Sequence, residues 1–159
     1  GKYAEATDLI GPARKADLDN PIITLVYGQV RAMDGKADLA TAAFEELEAA
    51  AGDSYFARLA RFLRLALADR ESEAMAAVDK DLEDFATSDL EWSWTLAQGY
   101  ALIGATDNAM TWLTAAVDSG FINYPFLAEL DPLLENARAH NRFPLLMSKV
   151  RQRWRAFEA

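Results

Sequence analysis

Four stretches of this chain open alike: GKYAEATDLIGPA at Gly1, GKADLATAAFEEL at Gly35, DRESEAMAAVDKD at Asp69 and GATDNAMTWLTAA at Gly104. In each, an alanine stands five positions after the opening Gly or Asp: Ala6, Ala40, Ala74 and Ala109. Four further on comes an apolar residue (Ile10, Phe44, Val78, Leu113), and three beyond that Ala13, Leu47, Asp81 and Ala116, of which only Asp81 departs from the pattern. The alanines are 34, 34 and 35 residues apart. A fixed period of this length marks a small supersecondary unit that cannot bury its own apolar face and gains stability by stacking on its neighbours.

Each unit reads as two helices. Leu25, Gly28, Ala32 and Met33 make one apolar stripe at helical spacing, and Leu39, Ala40, Ala43, Phe44 and Leu47 the next. Gly35 lies between them, where the first helix must end and a left-handed backbone is favoured. The second unit has Phe56, Leu59, Ala60, Leu63, Ala66 and Leu67, followed by a helix through Ala74, Met75, Val78 and Leu82. In the third, Trp94, Leu96, Ala97, Tyr100 and Ala101 precede Ala109, Leu113 and Ala116. The β-branched run Ile22-Ile23-Thr24-Leu25-Val26 could be a strand, but its place directly after Pro21 makes it a helix start. The small alanines let paired helix axes approach to about 8–10 Å.

Beyond Gly120 the pattern changes. Asp131-Pro132 reads as a helix cap with proline at the first helical position, and Asn141-Arg142-Phe143-Pro144 restarts the chain in the same way. The last helix carries Phe143, Leu146, Met147, Val150, Trp154 and Phe157 as one continuous stripe, expected to cover the last repeat with Trp154 and Phe157 buried. Charge divides at the same place. Residues 1–135 hold 10 Lys and Arg against 24 Asp and Glu, a net −14, while residues 136–159 hold 6 against the single Glu158, a net +5. So acidic a body repels phosphate backbones and argues against nucleic acid as a partner. The absence of cysteine excludes disulfides and thiolate metal sites, and no apolar run approaches the roughly 20 residues of a membrane span.

Few residues could build an enzyme. His140 is the only histidine, so no second His or Cys can complete a zinc site with it. The carboxylates of Glu45, Glu46 and Glu48, and of Asp79, Asp81, Glu83 and Asp84, lie on helix patterns without a glycine-turned loop, and read as a solvated face rather than a calcium site. No Gly-rich phosphate loop is present. The expectation is a non-enzyme with no cofactor and no metal.

A two-helix unit of this length resembles the tetratricopeptide repeat over residues 1–121. The third unit matches best, with Leu96, Ala97, Tyr100, Gly104, Ala109, Leu113 and Ala116 at the family's positions. Tyr27, Gly28, Gly35, Ala40, Phe44 and Leu47 match in the first full unit. The middle unit departs: Phe62 stands where a small residue is expected, Asp69 in place of Gly, and Asp81 in place of Ala. The resemblance implies an all-α solenoid of antiparallel helix pairs. Residues 1–20 form a half-repeat, 21–54, 55–88 and 89–121 full repeats, and 122–159 capping helices. The close, from Gly120-Phe121 through Leu127, Asp131-Pro132-Leu133 and Arg138 to Asn141-Arg142-Phe143, is similar to repeat arrays of bacterial multidomain regulators.

The family's arrangement puts the first helix of each unit on a concave face. Here that gives Ile22, Leu25, Gln29 and Met33, then Phe56, Leu59 and Leu63, then Glu91, Trp94, Gln98 and Leu102. Gln29, Met33, Phe56, Leu63, Glu91, Trp94 and Gln98 are the expected partner-binding residues. The function implied is a scaffold binding a peptide or partner domain that carries basic and apolar residues. The alternative is a ligand-sensing or self-associating regulatory domain. Because residue 1 already stands inside a repeat, the chain reads as a fragment. Its first helix is expected to leave an apolar face open to homodimerisation, and its compartment to be the cytoplasm, with the periplasm still open.

Overall fold

The computed structural model describes residues 2–17 and 19–158, and among these every regular element is helical. Gly1, which opens the first repeat copy, lies outside the described residues. The chain forms two units, Gly1–Leu82 and Glu83–Ala159.

The first unit holds α1 (Tyr3–Ala16), α2 (Pro21–Met33), α3 (Ala37–Ala51), α4 (Tyr55–Leu67), α5 (Glu71–Ala77) and the start of α6 (Lys80–Ala86). Its helices begin where local chemistry places them. Asn20 Oδ1 accepts from the backbone N–H groups of Ile22 and Ile23 at 3.1 and 3.3 Å, with Pro21 at the first helical position, so the β-branched run is helical. Ser54 caps α4 by accepting from the Ala57 N–H at 3.3 Å. After α2 the chain turns through Gly35 at φ +71°, and after α4 through Asp69 at φ +53°. Asp69 thus holds the left-handed position that its sequence alignment with Gly35 assigns, at a steric cost glycine would not incur.

Helix α2 packs against α1, α3 and α4; α3 also packs on α4, and α4 on α5. At Gly28 a Cβ would lie 2.3 Å from the Phe44 ring. Ala40 and Phe44 are fully buried beside it. The corresponding place in the middle copy is held by Phe62, itself fully buried. There the expected single helix through Ala74, Met75, Val78 and Leu82 is instead two. Val78 adopts an extended backbone (φ −102°, ψ 110°), and Asp79 Oδ1 accepts from the Leu82 N–H at 3.0 Å, capping α6. The copy whose second helix breaks carries Phe62 where the others have Gly28 and Ala97, and Asp79 supplies the cap that restarts the helix.

The second unit completes α6 and continues with α7 (Leu90–Leu102) and α8 (Thr106–Asp118). A π-helical turn Phe126–Leu130, a 3-10 turn Pro132–Leu134, the short α9 (Glu135–Arg138) and α10 (Phe143–Glu158) follow. Asp89 caps α7 and Gly104 turns it into α8 at φ +75°. Helices α7 and α8 pack along their length, with Ala97, Ala109, Leu113 and Ala116 fully buried. Helix α10 packs against α8 and α9, burying Phe143, Leu146, Met147 and Val150. The expected burial of its last aromatics does not hold: Trp154 is half-buried and Phe157 is 75% exposed, its ring 6.5 Å from that of Trp154. The stripe runs past the end of what it covers. All four tryptophans (Trp92, Trp94, Trp112, Trp154) belong to this unit.

Candidate functional site

Most residues expected on an open face are interior. In the first unit Leu25, Gln29, Met33, Leu59 and Leu63 are buried, while Phe56 is half-buried and Ile22 is 40% exposed. In the second unit Trp94 and Gln98 are buried and Glu91 is half-buried. The groove expected around Gln29, Met33, Leu63, Trp94 and Gln98 is therefore not presented to solvent. Among the expected residues, those that stay partly accessible are Ile22, Phe56 and Glu91, which precede Ala40, Ala74 and Ala109 by 18 residues each, together with the half-buried Leu102.

What covers Trp94 and Gln98 is the segment after α8. Phe121 and Phe126 stand at 5.5 and 5.6 Å from the Trp94 ring, both edge-on, and stack on each other at 6.2 Å. Asp131 is fully buried on the same side. Its Oδ2 accepts from Trp94 Nε1 at 2.8 Å and from Gln98 Nε2 at 2.9 Å, while Oδ1 accepts from the Leu133 N–H at 3.0 Å. Arg138 holds the loop from outside, donating to the carbonyls of Ala128 and Asp131 at 2.9 and 2.6 Å. Burial pushes the Asp131 carboxyl above the usual carboxylate range, against the pull of its hydrogen bonds from Gln98, Trp94 and Leu133. The Asp131-Pro132 cap was legible in the sequence. Its second task, satisfying two polar groups on a helix more than 30 residues earlier, carries no local signal.

Charged groups in the first unit tie helix to helix. Arg64 donates to both oxygens of Glu48 at 2.6 and 3.0 Å, joining α4 to α3, and that pairing holds the guanidinium above its ordinary range. Arg58 pairs with Asp79 and with Asp81, the latter at 3.0 Å, and Asp81 also accepts from the Tyr55 hydroxyl at 3.2 Å. The departure at Asp81 is thereby explained, because it serves a surface clamp across the broken helix instead of packing. Burial raises the Glu91 carboxyl, and neighbouring Asp89 raises it further.

His140 engages both ring nitrogens. Nδ1 accepts from the Arg142 N–H at 3.1 Å, so Nε2 carries the proton directed at Asp107 Oδ1, also 3.1 Å away. It fixes the turn into α10. Among the described residues no group of three His, Asp or Glu is placed to hold a metal ion, and no helix is long and apolar enough to cross a membrane. No known protein family, curated protein or solved structure matches this chain.

Proposed function

We propose that the chain is a non-catalytic protein-interaction module, built from tetratricopeptide-like helix pairs in a solenoid and holding a partner peptide against the first helices of its repeats. The observation that carries this reading is the equivalent set Ile22, Phe56 and Glu91. Each stands in the first turn of a first helix and retains exposure, while Leu25, Gln29, Met33, Leu59, Leu63, Trp94 and Gln98 are buried. In the first unit Ile22 and Phe56 offer two apolar anchors at matched positions, and in the second Glu91 offers a carboxylate, so the first unit suits an apolar side chain of the partner and the second its Lys or Arg. The net charge of −9 favours such a partner and disfavours nucleic acid. The burial of Trp94 and Gln98 moves the proposed contact to the starts of the helices.

Selection of a displayed peptide library on the immobilised chain tests this. Enriched sequences should combine Lys or Arg with a large apolar residue, bind saturably, and weaken as salt rises. Phe56→Ala should lose about 2 kcal/mol of binding, as truncation of an anchor does, with its helicity unchanged. A selection that enriches nothing over an acidic control library would refute the reading. The regulatory alternative, self-association, is favoured by Leu9, which stands 80% exposed on α1 next to the half-buried Ile10. Sedimentation of the chain and of Leu9→Glu over a hundredfold range of concentration separates the two.

A further inference from the structure

The first unit contains a recess of about 360 Å³ between α1 and α2, lined by Thr7, Asp8, Arg14, Lys15, Tyr27 and Arg31 among others. It gathers three cations in the acidic part of the chain. Arg14 and Arg31 both lie over the Tyr27 ring, their guanidinium carbons 4.6 and 5.1 Å from its centroid, which sets them no more than about 10 Å apart. Both arginines are part-buried, so salt screens their mutual repulsion less than it would for exposed charges at that separation. Glu46 pairs with Arg14 alone, and the one carboxylate lining the recess among the described residues, Asp8, is exposed.

Two details point to a missing acceptor. Arg14 donates through Nη2 to Glu46, yet its Nε is buried with no hydrogen-bond partner. Such an orphaned charged donor costs more than an ordinary lost hydrogen bond. Tyr27 Oη accepts from Arg31 Nε at 3.1 Å, which leaves its own hydroxyl proton uncommitted. Guanidinium groups at Arg14 and Arg31, the Tyr27 hydroxyl and a movable ammonium at Lys15, all lining the recess, suit a tetrahedral dianion with several acceptor oxygens better than a planar monoanion.

We propose that this recess binds a phosphate monoester, with Arg14 Nε, Arg31, Lys15 and the Tyr27 hydroxyl as its donors. The site does not depend on the peptide-binding reading and uses none of Ile22, Phe56 or Glu91. Its ligand is either a phosphorylated side chain or a small free phosphate, which share the recognised group.

The test is titration of the full chain at constant ionic strength, followed by nitrogen-15 NMR of the arginine Nε–H signals. Inorganic phosphate should shift the Arg14 signal saturably, and acetate at the same concentration should not. Lys15→Gln and Arg31→Gln should each weaken phosphate binding about tenfold, a loss of roughly 1.4 kcal/mol. Arg31→Lys should bind with intermediate strength, and far-UV circular dichroism checks each variant's fold. A glycyl-phosphoseryl-glycine tripeptide forms the second arm: tighter binding than inorganic phosphate assigns a phosphorylated chain, equal or weaker binding a free phosphate. Failure of both phosphate probes to saturate, equal saturation by acetate, or unchanged binding in Lys15→Gln and Arg31→Gln would overturn the proposal. Lys15 is exposed, so its variant keeps the test decisive even if Arg31→Gln disturbs packing.

Discussion

At the scale of single residues, the packing turns on a few places where one atom decides. Gly28 touches Phe44 so closely that Gly28→Ala puts a methyl group inside the ring's van der Waals envelope, and the fully buried Phe44 has nowhere to retreat. Overpacking of this kind costs about 1–3 kcal/mol. A lower Tm for Gly28→Ala, largely restored in Gly28→Ala with Phe44→Leu, is expected from thermal melts of the two variants. Asp69 works in the opposite sense. It is exposed and left-handed, so Asp69→Gly relieves strain and should stabilise by up to about 1 kcal/mol, read as a rise in the denaturant midpoint at constant slope. Trp94 is interior, bonded to Asp131 and flanked by two phenylalanines, and Trp94→Ala should therefore cost about 3–5 kcal/mol in the second unit. Native-like melting of that variant, monitored by circular dichroism, would return Trp94 to a surface role.

At the scale of elements, the helix pairs were legible because their signals are local. Ala40 and Ala109 with Phe44 and Leu113, the turns at Gly35 and Gly104, and the start at Pro21 all rest on neighbours within a few residues. The break at Val78 was not legible, because the Asp79 cap that restarts the helix is indistinguishable in sequence from the surrounding acids. Nor was the covered side of α7. Trp92 through Ala101 are all buried, so the helix has no polar face from which an open side could be read. Helix α10 shows the converse, an apolar stripe longer than its contact. Removing residues 154–159 should consequently leave the melting transition nearly in place, whereas Met147→Ala should cost about 2–5 kcal/mol. Thermal denaturation of both variants checks the pair.

At the scale of the molecule, the two units differ in their response to acid. In the second unit burial raises the carboxyls of Asp131 and Glu91, so the folded state binds protons better than the unfolded one and stability grows as pH falls from neutral toward about 4. In the first, the Leu82 N–H and Arg58 hold Asp79 low, and Arg70 holds Glu73 low, so their contribution stands above the ordinary carboxylate range and is lost as pH falls through their folded values. Tryptophan emission reports the second unit alone, and its Tm should rise as pH falls from neutral toward the ordinary carboxylate value of about 4. Asp131→Asn should flatten that rise and lower the Tm at neutral pH, because an amide cannot accept at both oxygen positions. A fall in the wild-type value over the same window would contradict this. The unequal residues at equivalent places, Gly28, Phe62 and Ala97 in the first helices and Phe44, Val78 and Leu113 in the stretches that follow, bear on a different hazard. Chains of near-identical repeats misfold by pairing a helix with the wrong copy. Here Gly28 leaves no room for even a Cβ beside Phe44, so a helix carrying Phe62 at that place cannot take its position, and side-chain size tells these two copies apart.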